Sequence, residues 1–200
     1  MTAPLRERRR QLLRDEIVSA AQMLLAEKGP KSMSMDDLAA HVGVSKPTLY
    51  SYFGTKDEIV VAVAMRLIHP LLLVLEADLI DQTPLERLSV FLATAVQLQI
   101  DAGYFALQIW VPEVLTLLHT YRESAECLHR IDNAVVRLVQ AAFDQGEIDS
   151  DLDRATVVRS LYALVHSMHL APHSQSGLPD PATTAATLAR IFMYGVRRKG

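Results

Sequence analysis

The stretch from Ser34 to Glu58, SMDDLAAHVGVSKPTLYSYFGTKDE, contains three hydroxyl residues that can begin helices: Ser34, Ser45 and Thr55. A serine or threonine at such a position accepts a hydrogen bond from the backbone two or three residues later. Asp37 and Glu58 stand three residues after the first and third of them, where a carboxylate can complete a capping box. The stretch therefore predicts two short helices followed by a third, longer one.

The first two helices have the pattern of a helix-turn-helix. Such a unit needs apolar anchors on both helices, a small residue where they cross, and a residue that tolerates positive φ in the turn. The residues that occupy this pattern are Leu38, Ala39, Val42, Gly43, Val44 and Leu49. The second helix, 46–53, would then project its first polar residues into the major groove of DNA, while Leu49 and Phe53 hold it to the module.

The rest of the 200-residue chain also predicts helices, so the fold class is all-α. Apolar residues recur at helical spacing, and no segment alternates in the manner of a strand. The predicted helices run approximately over 8–27, where Gly29 stops the first, and then 56–78, 84–101, 104–118, 121–145, 154–170 and 181–199. The apolar stretch 59–75 contains Arg66, His69 and Pro70, so it predicts a buried helix that Pro70 kinks or ends rather than a membrane span.

The composition excludes several classes of protein. Half of the residues are hydrophobic, which excludes disorder, and a single cysteine, Cys127, excludes a disulfide scaffold. The start of the chain has no charged-then-apolar signal pattern, so we expect a cytoplasmic protein. Cys127 itself is expected to be a small buried residue rather than a redox sensor.

The net charge of −3 is unevenly distributed along the chain. Residues 1–56 contain nine Lys and Arg against six Asp and Glu, a net +3, whereas residues 57–200 contain 11 against 17, a net −6. This asymmetry favours a basic module that faces phosphate, attached to an acidic body. The basic run Arg6, Arg8, Arg9 and Arg10 is interpreted mainly as a solvated face, with a minor-groove or phosphate contact as the alternative.

The stretch resembles the TetR family of bacterial transcriptional regulators. The resemblance rests on the signature G-V-S-x-x-x-L-Y-x-Y-F-x-x-K, which is matched at Gly43, Val44, Ser45, Leu49, Tyr50, Tyr52, Phe53 and Lys56. It implies a three-helix DNA-binding domain over 1–56 and a helical domain for effector binding and dimerisation over 57–200. It also implies a regulator, most simply a repressor, rather than an enzyme, and no cofactor.

The family resemblance and the residue chemistry together predict the DNA contacts. Ser34, Tyr50, Tyr52 and Lys56 offer hydroxyls and a cation suited to phosphate oxygens. Base-edge contacts are expected from Ser45, Lys46, Pro47 and Thr48, and Ser51 is a further candidate. Lys46 can donate to guanine O6 and N7, whereas Pro47 and Thr48 can touch a thymine methyl.

The resemblance implies a homodimer on a pseudo-palindromic operator, released by a small-molecule effector. Apolar stripes on the last two helices predict the dimer surface, with Leu161, Leu164, Val165, Met168, Ala185, Leu188, Phe192 and Val196. Large residues available for an effector pocket are Phe91, Tyr104, Phe105, Trp110, Tyr121 and Met168. No membrane partner is expected.

Two other classes of function stay open from the residues alone. One is a helical metal or oxygen-chemistry enzyme, because His166, His169 and His173 could share one helical face and bind a metal. Glu126-x-x-His129 is also half of a di-iron motif, although the second half is missing from the sequence. Interface or pocket histidines are the preferred interpretation, and no metal site is predicted. The other alternative is a helical ligand-binding or adaptor protein whose helix-turn-helix no longer binds DNA.

Overall fold

The computed structural model describes residues 5–77, 81–102, 111–167 and 180–198, and these ranges are almost entirely helical. The all-α fold class is thereby confirmed. The helices in the described ranges are α1 Leu5–Ser32, α2 Met35–Val42, α3 Lys46–Tyr52, α4 Lys56–Glu76, α5 Pro84–Ala102, α6 Pro112–Thr120, α7 Arg122–Asp144, α8 Arg154–Val165 and α9 Pro181–Val196.

The chain forms two compact units. The first comprises Met1–Arg66 with Gly103–Ser124, and the second comprises Leu67–Ala102 with Ala125–Gly200. In the first unit, α1 packs on α2 and α2 packs on α3. The core of this unit includes Ile17, Ala21, Leu25, Leu38, Leu49, Phe53, Ile59, Val63, Val114 and Leu118, all buried.

In the second unit, α9 packs mainly on α5, and α8 contacts both helices. Their facing positions are buried, namely Leu88, Phe91, Leu92, Val96, Leu161, Val165, Ala189 and Phe192. Cys127 is 5% exposed, as expected of a small buried residue. The segment after α9 is joined to the loop between α7 and α8 by a short antiparallel contact between Ile148 and Arg197. There the Asp149 amide donates to the Val196 carbonyl over 3.0 Å, and the Arg198 amide donates to the Glu147 carbonyl over 3.2 Å.

A glycine in α1 and a proline in α4 interrupt the regular sequence pattern of these two helices. α1 extends to Ser32 across an interruption at Gly29, whose φ of 74° is non-helical, so glycine breaks the helix at the expected place but a further turn follows. α4 continues through Pro70 to Glu76, close to the predicted range 56–78, so of the two alternatives predicted for Pro70, a kink or an end, the proline does not end the helix. Among the described residues, α4 is the one helix with the length and apolar composition of a membrane span, and 44% of that window is buried inside the protein.

Candidate nucleic-acid interface

The α2–turn–α3 unit is fixed by its ends and its core. Gly43 adopts φ 76°, a left-handed conformation that glycine tolerates without a Cβ clash, and its amide donates to the carbonyls of Ala39 and Ala40. Leu38 on α2 and Leu49 on α3 are fully buried. The helix-turn-helix predicted from the sequence is thus present, with the anchors where the pattern placed them.

One face of α3 is exposed while the opposite face is anchored. Lys46, Pro47, Tyr50 and Ser51 are exposed, at positions i, i+1, i+4 and i+5 of the helix. On the other side, Leu49 is buried and Phe53 is 2% exposed. Of the predicted base-contact residues, Lys46 and Pro47 therefore lie on the open face, whereas Thr48 is half-buried beside it.

The two predicted serines act as helix caps. The Ser34 hydroxyl donates to the Asp37 carboxylate over 2.8 Å, and the Asp37 amide donates back to the Ser34 hydroxyl over 3.1 Å. This hydroxyl, with a further contribution from Lys28, holds the pKa of Asp37 below its usual range. The Ser45 hydroxyl accepts from the Thr48 amide over 3.2 Å. Both serines are exposed, so capping leaves them at the surface.

Lys56 has a structural task at the start of α4. Its Nζ donates to the Pro30 carbonyl over 2.9 Å, to the Met33 carbonyl over 3.3 Å and to the Lys31 carbonyl over 3.4 Å. An ammonium has three donors, and each of them has a carbonyl partner here. The side chain predicted to contact phosphate thus closes the end of α1, where helix carbonyls lack intrahelical partners.

Aromatic residues at the end of α3 are covered by arginines of α1. Tyr50 is 47% exposed, whereas Tyr52 is half-buried beneath Arg10, whose guanidinium carbon lies 5.8 Å from the ring centre. Arg14 lies 4.3 Å from the centre of the Phe53 ring. Arg10 belongs to the predicted basic run, whereas Arg14 was not predicted. The four-residue spacing that puts both arginines on one face of α1 was a usable signal.

Lys46 forms an ion pair with Asp36 of the first turn of α2, with 2.5 Å between Nζ and Oδ1. Both side chains remain more than half exposed. Asp36 was not among the predicted site residues, because ten residues and a turn separate it from Lys46 and only the crossing of the two helices brings them together. The sole cation of α3 is therefore held by an acidic side chain.

The residues predicted to line an effector pocket do not form one described cavity, since two lie in different units and the others lie outside the described residues. Phe91 is 1% exposed in the core of the second unit, and Tyr121 belongs to the first unit. There Tyr121 lines a cavity of about 330 Å³ together with Arg14, Phe53 and Arg66. Tyr104, Phe105, Trp110 and Met168 lie outside the described residues.

The apolar stripes predicted to form the dimer surface are largely used inside the chain. Leu161, Val165, Ala185, Phe192 and Val196 are at most 6% exposed, and Leu164 and Leu188 are half-buried. Met168 lies outside the described residues. What α9 leaves open is a different stripe, with Ile191 54% and Tyr194 71% exposed. Periodicity identified the apolar face correctly, but the chain's own α5 covers much of it.

Of the three histidines considered for a metal site, only His166 lies within the described residues. His166 stacks against Tyr162, with 6.5 Å between ring centres, and His169 and His173 lie outside the described residues. Within the ranges that the structure covers, His, Cys, Asp and Glu form no group of three or more that could hold a metal ion.

Comparison with known proteins identifies the module. Residues 17–63 match the family described as bacterial regulatory proteins, tetR family. An uncharacterised HTH-type transcriptional regulator of Mycobacterium tuberculosis is 33% identical over 97 residues, 47% of this chain and 47% of the relative. The chain thus spans about half the length of that relative. A second uncharacterised HTH-type regulator of the same organism is 26% identical over 182 residues, 88% of this chain and 71% of the relative.

A solved structure extends the likeness over the whole fold. The ketosteroid transcriptional regulator KstR2 of Mycobacterium tuberculosis aligns with a TM-score of 0.74, covering 93% of this chain and 95% of that one at 19% identity. All three similar proteins are named as transcriptional regulators. The tetR match spans α2, the turn and α3, so residues 17–63 of this chain are similar to the regulatory-protein module of the TetR family.

Proposed function

We propose that the chain is a cytoplasmic transcriptional repressor that binds a pseudo-palindromic DNA operator as a homodimer. The observation that carries the proposal is the open face of α3, where Lys46, Pro47, Tyr50 and Ser51 are exposed while Leu49 is buried. An anchored helix with an exposed polar face is the form in which helix-turn-helix proteins enter the major groove. Ser34, Tyr50 and Tyr52 are assigned to phosphate positioning, and Ser45 and Thr48 to the edge of the base-reading face. Lys56, also predicted at phosphate, is assigned to the fold beside this face through its three carbonyl partners.

Dimerisation follows from the size of the module. A single α3 reaches only one short half-site, so useful affinity requires two copies about one turn of DNA apart, roughly 34–36 Å. The exposed stripe of α9 with Ile191 and Tyr194 supports a second copy as the partner.

Release of the operator is assigned to a small-molecule effector bound by the helical second unit. α4 supports this assignment, because it begins in the first unit and ends in the second as one continuous helix. An effector that shifts α4 would alter the separation of the two recognition helices. To move the population from 1:99 to 99:1 it must favour the released state by about 5.5 kcal/mol.

The test is footprinting on DNA upstream of the protein's own gene, followed by selection from random duplexes if no protection appears. Binding should weaken steeply with salt, because phosphate contacts release counterions. Lys46→Gln should lower operator affinity by about fivefold or more, as expected when a base contact worth roughly 1–3 kcal/mol is lost. Tyr50→Ala should also weaken operator binding, because it removes a predicted phosphate contact. Arg137→Gln removes an equal charge from an exposed position of α7 and should change little. Failure of both searches would refute the proposal.

A further inference from the structure

The ion pair between Lys46 and Asp36 stands on the face that we assign to DNA. Lys46 is the sole charged residue of α3, and its Nζ lies 2.5 Å from the Asp36 carboxylate. Fractional exposures of 53% and 66% leave both side chains accessible to a nucleic acid. A carboxylate on this face would repel the phosphates of bound DNA. The position of Asp36 therefore needs an explanation other than a contribution to affinity.

We propose that Asp36 is a specificity-determining residue, which directs the Lys46 ammonium to a base edge and away from phosphate. The inference rests on the proposed function and deepens it. It assigns a role in sequence discrimination to an acidic residue that lies on α2 rather than on the recognition helix.

The donor count of an ammonium explains how Asp36 can favour bases. Lys46 has three N–H donors and Asp36 occupies one of them, which leaves two for the O6 and N7 acceptors of a guanine. Asp36 can thus stay bonded in the specific complex and fix the direction of the flexible side chain. In the absence of this support, the four-carbon stem of lysine leaves the ammonium free to follow the nearest negative charge.

The charge of Asp36 acts in the opposite sense on non-specific complexes. Non-specific binding depends on phosphate contacts. When Lys46 turns to a phosphate, the Asp36 carboxylate is drawn toward the same anion, and the like charges repel. Asp36 therefore weakens the complexes in which Lys46 binds phosphate and spares those in which it binds a base.

The local fold allows this role to be tested without unfolding α2. Asp37, and not Asp36, forms the capping box with Ser34. Asp36→Asn removes the charge, keeps the size of the side chain and leaves that cap intact. Asp57→Asn makes the same chemical change in the first turn of α4 and serves as the matched control.

The experiment measures the affinity of full-length protein for two duplexes across a salt series: the protected sequence found by footprinting or selection, and a scrambled duplex of equal length and composition. With Asp36→Asn, we expect about threefold tighter binding to scrambled DNA and about threefold weaker binding to the operator, so that the ratio falls about tenfold. Asp57→Asn should change both affinities by one common factor. In a Lys46→Gln background, Asp36→Asn should lose its effect on the operator.

Three results would overturn the inference while leaving the proposed function in place. They are an unchanged ratio in Asp36→Asn, equal behaviour of Asp36→Asn and Asp57→Asn, and a persistent operator effect of Asp36→Asn in the Lys46→Gln background. Wild-type protein that binds both duplexes equally would overturn the proposed function, and this inference with it. Helix content and melting temperature are measured for every variant to show that it folds. The single Lys46→Gln variant tests the same ion pair by removing its cation instead of its carboxylate.

Discussion

The Lys56 side chain is committed to the fold by three backbone carbonyls, those of Pro30, Lys31 and Met33. Hydrogen bonds from a charged donor are stronger than neutral ones, and carbonyls at a helix end would otherwise need water. A lysine that matches a family signature can thus be retained for folding as well as for a DNA contact. At the scale of the residue, the two roles make different demands on the same ammonium.

Lys56→Met should lower the free energy of unfolding by about 1.5–3 kcal/mol, because methionine fills the space but donates no hydrogen bond. Urea unfolding followed by circular dichroism measures this. Lys31→Met is the control, since its ion pair with Glu113 is solvent-exposed and should affect stability much less. Unchanged stability together with weaker operator binding would instead assign Lys56 to the DNA contact alone.

At the scale of the element, α2 is a short helix that depends on its ends. It has only eight residues, too few for a stable helix in isolation. The capping box of Ser34 and Asp37 satisfies its first amides, and the left-handed Gly43 satisfies its last carbonyls. Since α2 supports α3, these two ends position the exposed face that includes Lys46 and Tyr50.

The cap of α2 should make stability depend on acid. The Ser34 hydroxyl lowers the pKa of Asp37 in the folded state, so this carboxylate contributes its full stabilisation above the unfolded-state pKa of about 3.9. The contribution declines as the pH falls below that value and is lost once the pH has passed through the lower, folded pKa.

Asp37→Asn should therefore be less stable than wild type by a constant amount between pH 5 and 7, with the gap closing in acid, as urea titrations at a series of pH values would measure. Asp57→Asn reports the general effect of removing a carboxylate in this unit. A gap that persists unchanged at pH 2.5 would show that the Asp37 charge does not stabilise α2.

Helix starts could be predicted because capping is local. The sequence identified the caps at Ser34, Ser45 and Thr55, and each accepts the expected backbone hydrogen bond. One detail of the third capping box differs from the prediction. The Glu58 carboxylate accepts from the Gly54 amide over 2.8 Å rather than from Thr55, so that box is displaced by one residue.

The sequence could not predict which helix packs on a given apolar face. Helical periodicity identifies the apolar side of a helix, but it does not identify the element that covers that side. Leu161 and Phe192 were assigned to a second copy, but the packing of α9 and α8 on α5 buries them within the chain. The same reason hid Asp36 and Arg14, whose partners on α3 and at Phe53 are distant in sequence. Sequence thus predicted the module and its anchors, and the structure supplied the contacts between helices.

For the whole molecule, the exposed stripe of α9 is the surface proposed to join two copies. Ile191→Glu combined with Tyr194→Glu should convert a dimer to a monomer, because two carboxylates would have to be buried in the interface. Sedimentation velocity at several concentrations measures the outcome. Val136→Glu, at an exposed apolar position of α7, should leave the dimer intact. The reverse pattern would move the dimer surface from α9 to α7.

The antiparallel contact between Ile148 and Arg197 changes how the end of the second unit behaves. The last turn of a helix ordinarily frays where no further contact holds the backbone. Here the Asp149 amide bonds to the Val196 carbonyl at the end of α9, and the Arg198 amide bonds beyond it to Glu147. Unfolding of α9 from its carboxyl end would have to break these two hydrogen bonds before any α9 side chain loses its contact with α5. These backbone hydrogen bonds join the end of α9 to the α7–α8 loop. We therefore expect α9 to unfold cooperatively with that loop rather than turn by turn.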